Sequence, residues 1–182
     1  MKADAGRLYY VGELLKAMGR IVAGIALLHF RQVFWALRLA LLAEIVWAGV
    51  TLVQGFRAWM LIGLALAALG AVLIVWTHSA VTRTPVTTGI LLTSGPFAVV
   101  RHPMYSGWCL AALGLALVGG SGLLWALAAV QTVIMLSVSC AEDEENAAIF
   151  GTQYEVYSRK VYLTGILLGL LRLVFVRRKP NT

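Results

Sequence analysis

Charge is scarce in this sequence. Only 13% of its 182 residues are charged and only eight are acidic, against about 25% charged residues in soluble domains. So few charges cannot cover a water-soluble surface. A 60% hydrophobic composition and a mean hydropathy of +0.85 describe instead an integral membrane protein, of a length that suits one small helical bundle. Cysteine is also nearly missing. Cys109 lies in an apolar segment and Cys140 at the end of another, a spacing that gives neither a disulfide framework nor a metal site. The net charge of +7 raises the question of nucleic acid. The basic residues are scattered along membrane-flanking segments, with no basic stripe interleaved with aromatics, so nucleic acid is set aside as a partner. Positive charge here orients the chain and meets anionic membrane lipid.

No signal peptide is recognisable after Met1-Lys2-Ala3-Asp4-Ala5-Gly6-Arg7, because Lys16 and Arg20 interrupt the early apolar core; insertion through the chain's own spans is expected. Residues 8–30 carry Leu8, Val11, Leu14, Leu15, Met18, Val22 and Ile25 at helical spacing between basic residues, the pattern of an amphipathic helix on a membrane surface, the alternative being a span from Leu14 to Phe30 with Lys16 snorkelling. Val33 to Val53 reads as the first span, with Arg38 and Glu44 inside it; intramembrane ionisable residues usually face the bundle interior and pair. These two are six apart, so partners on other elements are expected, in structural roles. Ala58 to Trp76 is the second span, anchored by Trp59 and Trp76. The third span is Met104 to Val118 and the fourth Leu123 to Val138, joined by the turn Gly119-Gly120-Ser121-Gly122. Residues 77–102 form the longest polar connection. The last apolar stretch, 161–176, precedes Arg177-Arg178-Lys179, and a span there would place those charges outside, so it is expected to turn back or lie in the interface.

The reading is therefore an all-α, small polytopic bundle of four spans, a fifth being possible. The face shared by the 77–102 loop and the 140–160 segment carries most of the basic residues and is expected to be cytoplasmic. The Ala-, Leu-, Val- and Gly-rich composition suggests a bacterial inner membrane.

Two polar segments carry the chemistry. The first is Thr93-Ser94-Gly95-Pro96-Phe97-Ala98-Val99-Val100-Arg101-His102-Pro103-Met104-Tyr105-Ser106-Gly107. Pro103 reads as the first residue of a helix and His102 as its cap, which puts Arg101 and His102 at a positive helix end suited to an anion. The second is Ala141-Glu142-Asp143-Glu144-Glu145-Asn146, where half of the acidic residues stand in four consecutive positions. On a helix continuing span four, Glu142, Glu145 and Asn146 share one face. Since spans three and four form a hairpin, the two segments emerge side by side, and Arg101, His102 and Tyr105 approach Glu142, Asp143 and Glu145. The bland alternative is a solvated acidic face neutralised by Arg101, Arg159 and Lys160. The functional alternative is a polar pocket with a cationic corner for a carboxylate and an anionic corner for an amine, a ribose or a sulfonium.

The run Gly95-Pro96-Phe97 followed by Arg101-His102-Pro103-Met104-Tyr105-Ser106-Gly107 resembles the G-P-[YF]-x(3)-R-H-P-x-Y-x-G signature of integral membrane methyltransferases, the isoprenylcysteine carboxyl methyltransferase and phospholipid N-methyltransferase families. Glu142-Asp143-x-Glu145-Asn146-x(3)-Phe150-Gly151-x(2)-Tyr154-x(2)-Tyr157 resembles their second motif. The likeness covers about residues 77–160. It divides the chain into an N-terminal region, 1–76, and a methyltransferase-like region, 77–182.

The resemblance implies S-adenosylmethionine as cofactor, bound by the C-terminal half at the cytoplasmic side, and a lipid-like or prenyl- or isoprenoid-bearing acceptor arriving from the bilayer, methylated at a carboxylate, an amine or a thiol. It implies a cofactor pocket drawn from Gly95, Pro96, His102, Pro103, Tyr105, Gly107, Glu142, Asp143 and Asn146. Arg101 would hold a carboxylate or fix the loop, and Glu142 and Glu145 would contact the cofactor or orient the acceptor. The usual paired glutamates stand here as Glu142-Asp143, leaving Asp143 and Glu145 as alternatives for the second part. Val161-Tyr162-Leu163-Thr164-Gly165 replaces an arginine-rich run that often ends the family pattern. Membrane sterol reductases carry a similar R-H-P-x-Y-x-G element and use NADPH, although their chains are much longer; a non-catalytic membrane protein retaining the fold is the third reading.

Overall fold

In a hydrocarbon solvent an apolar segment must satisfy every backbone group internally, which leaves the helix as the form for a single span. The computed structural model describes residues 30–83 and 89–162, together with Ala17 and Ile21. Its helices are α1 (Phe30–Gln54), α2 (Met60–Arg83), α3 (Pro103–Gly119), α4 (Gly122–Phe150) and α5 (Thr152–Lys160), with a short 3-10 helix at Gly95–Ala98. Among the described residues there is no strand, only an isolated parallel bridge between Val100 and Tyr162. The amphipathic segment expected at 8–30 and the apolar stretch at 161–176 lie outside the described residues, apart from Ala17, Ile21, Phe30, Val161 and Tyr162.

Helices α1 (from Gln32), α2 and α4 are long and apolar enough to cross a membrane. The fourth apolar helix, α3, has 17 residues, about 26 Å of helix and the short end of the spanning range. Large apolar side chains such as Trp35, Val46, Val53, Ile62, Val72 and Val133 face outward. Glu44, Thr77, Gln131 and Ser139 are buried between the helices. Apolar residues outside and polar ones inside is the arrangement of a protein whose solvent is lipid.

The helices pack by small residues. Gly63, Ala67 and Gly70 on α2 meet Gly107, Ala111 and Gly114 on α3, each triplet spaced four and then three so that it forms one stripe. A Cβ added to Gly63 would lie 2.6 Å from the Gly114 carbonyl oxygen, and one on Gly107 would lie 2.8 Å from the Gly70 carbonyl oxygen. Backbones this close leave no room for a side chain at the four glycines. At the other side of α3, Gly120 in the left-handed region caps its C-terminus, and Ser121 accepts from the Leu124 amide to start α4. The tight hairpin between the third and fourth apolar helices is therefore as the sequence predicts.

Two expectations are corrected. Helix α2 does not stop at Trp76 but runs to Arg83. The hydroxyls of Thr77, Ser79 and Thr82 bond back to the carbonyls of Leu73, Val75 and His78 at 2.7, 2.9 and 2.9 Å, so polar residues continue the helix without needing outside partners. Arg38 does not face the interior; it is exposed, with its guanidinium 5.3 Å from the Trp35 ring centroid.

Filling the crossing should break it. Gly70→Val and Gly114→Val are expected to destabilise the detergent-solubilised protein by about 1–3 kcal/mol or more through overpacking, whereas Gly49→Ala, with nothing within 4 Å of its added carbon, should be neutral or stabilising. Thermal unfolding of the three variants checks this.

Candidate active site

Pro96 and Pro103 fix the two ends of the loop that enters α3. Pro96 starts the 3-10 helix and Pro103 occupies the first turn of α3, with His102 at its N-cap. The His102 side chain makes no capping bond, which leaves its ring free to face α4. Helix α4 continues without a break past the apolar block and carries the acidic run beside that ring. Gly151, with φ of 52° and ψ of −128°, then turns the chain, a conformation open to glycine. Helix α5 begins there and brings Tyr154 and Tyr157, one turn apart on one face, back towards the loop.

Asp143 is the centre of the resulting network. It pairs with the Arg101 guanidinium, accepts from the Tyr154 hydroxyl, and lies 2.7 Å from His102 Nε2. Glu142 takes the other side of the same histidine, 3.3 Å from Nδ1, and accepts from the Tyr105 hydroxyl. Tyr157 donates to the Phe97 carbonyl at 2.7 Å, tying α5 to the 3-10 helix. The Arg101 amide donates to the Tyr162 carbonyl at 2.9 Å, which fixes the chain after α5 along the loop.

Burial and charge set the protonation of the ring. Burial alone would lower the His102 pKa, but the hydrogen bonds that its ring donates to Asp143 and Glu142, together with their negative charges, outweigh it and raise it above 6.5. Burial and the Asp143 carboxylate push the Tyr154 phenol up to about 12, so it remains a donor. Burial likewise raises Tyr157.

Against this network lies a groove of about 210 Å³, smaller than the roughly 300–1,000 Å³ typical of ligand pockets. Its lining includes Ile90, Leu92, Phe97, Arg101, His102, Glu142, Asn146, Phe150 and Tyr154. The Nε of Arg101 is buried and has no partner. Arg101 itself is among the residues that line the groove.

Comparison with protein families matches residues 58–153 to the phospholipid methyltransferase family. The match spans more than half of the chain. The chain belongs to the phospholipid methyltransferase family. No curated protein and no solved structure gives a significant match. For this phospholipid methyltransferase family member, the matched region takes in the glycine crossing, both polar segments and the start of α5, while α1 lies outside it. Membership, with the apolar helices, makes it an integral membrane methyltransferase.

The residues singled out in the sequence occupy different places around the groove. Arg101, His102, Glu142 and Asn146 line it. Pro96, Pro103 and Tyr105 are buried behind it, and Asp143 anchors Arg101 and His102. Gly95 has φ of 63° beside the Trp76 indole, and Gly107 lies in the helix crossing, away from the groove. Glu145 is exposed and outside the lining. Sequence reasoning did not single out Tyr154 and Tyr157 as site residues, although their i, i+3 spacing after Gly151 was the available signal.

The raised His102 pKa gives a pH signature. Its contribution to stability is complete below the unfolded value of 6.5 and fades as pH rises through the higher folded value. The thermal midpoint of the wild type should fall across that alkaline window, and His102→Asn should lack this component when melts are compared over pH.

Proposed function

We propose that this methyltransferase uses S-adenosylmethionine and transfers its methyl group to an apolar-tailed, lipid-like acceptor at a groove facing the cytoplasm. The reading rests on one observation above the others, that Arg101, whose Nε has no hydrogen-bond partner, lines the same groove as the carboxylate of Glu142. A zwitterionic amino-acid end asks for such a pair, a cation for its carboxylate and an anion for its ammonium. Phe97 and Phe150 add aromatic faces for a sulfonium or a base. The residues present therefore fit the cofactor. Orientation follows from charge: Arg83, Arg101, Arg159 and Lys160 belong to the groove end and Arg57 to the opposite end, which supports a cytoplasmic groove in a bacterial inner membrane.

When bound, the cofactor supplies an electrophilic methyl group. The chain's own residues align and shield. Asp143 holds Arg101 and His102 in fixed positions, so little reorganisation is needed when a ligand arrives, and alignment of this kind can supply roughly 7–11 kcal/mol of a barrier. Both ring nitrogens of His102 face carboxylates, so the ring is an imidazolium with no lone pair to offer. The proton of an amine acceptor therefore goes to Glu142, whose side chain is 33% exposed at the groove. A carboxylate acceptor needs no such step. Of the two carboxylates that stand for the family's second glutamate, this reading takes Asp143.

Calorimetric titration of S-adenosylmethionine and NADPH into detergent-purified protein tests the proposal. Saturable S-adenosylmethionine binding, lost in Arg101→Ala, is expected; binding of NADPH alone would overturn it. With an amine acceptor, Glu142→Ala should lower turnover by about 100-fold or more, and Glu145→Ala by much less.

A further inference from the structure

Midway along α1, outside the family match, Glu44 is completely buried. Its Oε1 accepts a hydrogen bond of 2.6 Å from Gln131 Nε2 on α4. Two atoms of this pair, Glu44 Oε2 and Gln131 Oε1, are buried with no partner. Both are acceptors, and both belong to planar groups already joined at their other atom. Among the described residues no cationic side chain pairs with Glu44; Arg38 on the same helix is exposed and stacks on Trp35. Gln131 stands 11 residues before Glu142, about 16 Å along α4 from the groove, so the pair lies within the bundle and not at its surface.

One added hydrogen satisfies both orphans. A carboxylic acid and a primary amide form a cyclic pair of hydrogen bonds, the amide N–H to one carboxyl oxygen and the carboxyl O–H to the amide oxygen. The requirement survives exchange of the amide nitrogen and oxygen, because either orientation leaves the pair one donor short. An uncompensated carboxylate here would stand in a medium of low dielectric constant.

We propose that Glu44 is held as the neutral acid in a cyclic acid–amide pair with Gln131, and that this pair is a positioning device for the groove. Helix α1 supplies Leu37 to the cluster of Tyr105, Met135 and Val138, and Phe34 packs on it with its ring 6.4 Å from that of Tyr105. Tyr105 in turn donates to Glu142. Docking α1 on α4 through the neutral pair thus fixes the packing behind a groove carboxylate.

The infrared spectrum of wild-type protein at neutral pH should contain a protonated-carboxyl C=O band that Glu44→Gln removes. Glu44→Gln, which rebuilds the cycle as an amide–amide pair, should keep S-adenosylmethionine affinity within about twofold, while Glu44→Ala should lose about tenfold or more by leaving Gln131 unpaired. Absence of a band that depends on Glu44, or a Gln variant as impaired as the Ala variant, would overturn the inference. The affinity readout rests on the proposed function; the infrared band does not, so a wild type that bound no S-adenosylmethionine would count against that function alone. Should Glu44→Ala fail to fold, the band and the Gln variant still decide.

Discussion

The close approach of α2 and α3 is the constraint on which the rest depends. Without a hydrophobic force between helices in lipid, association comes from packing and hydrogen bonds. Gly63, Gly70, Gly107 and Gly114 let two backbones touch where any side chain would hold them apart. That contact sets where α3 begins, and Pro103 and the Gly120 turn then set where α4 returns. Arg101 and His102 meet Asp143 because these distances are fixed by backbone and not by adjustable side chains.

Around that frame the polar groups divide into two levels. Where the loop before α3 meets the later part of α4, Arg101, His102, Asp143, Glu142 and three tyrosines form a network in which almost every charge has a partner. Arg101 Nε is buried without a partner, and Arg101 lines the groove together with Glu142. Deeper in the bundle, Glu44 and Gln131 form a smaller pair that faces no groove. The first arrangement balances charges against one another beside water; the second has none to balance with and is one proton short of completing its hydrogen bonds. The same side-chain type serves binding in one place and docking in the other because its surroundings differ.

Much of this was legible in the sequence. The four apolar blocks, the Gly-rich turn, the proline that starts α3 and the hairpin that brings residues 101–105 to residues 142–143 follow from hydropathy, turn chemistry and chain connectivity. The end of α2 was not, because Thr77, Ser79 and Thr82 look like loop residues until their hydroxyls are seen bonded to the preceding turn. Nor was the exposure of Glu145: helical spacing puts it on the same stripe as Glu142, yet it is exposed and outside the groove lining.

The sequence by itself determined that the protein is an all-α membrane bundle with one charged corner, since apolar run length and charge position are local properties of the chain. Only the tertiary structure decided that Asp143 is the hub, that His102 is held between two carboxylates, that Gly107 belongs to the helix crossing and that Glu44 meets Gln131. Each of those depends on the rotation of one helix about its axis against another. Helix rotation is set by packing between residues distant in sequence, and no local pattern records it.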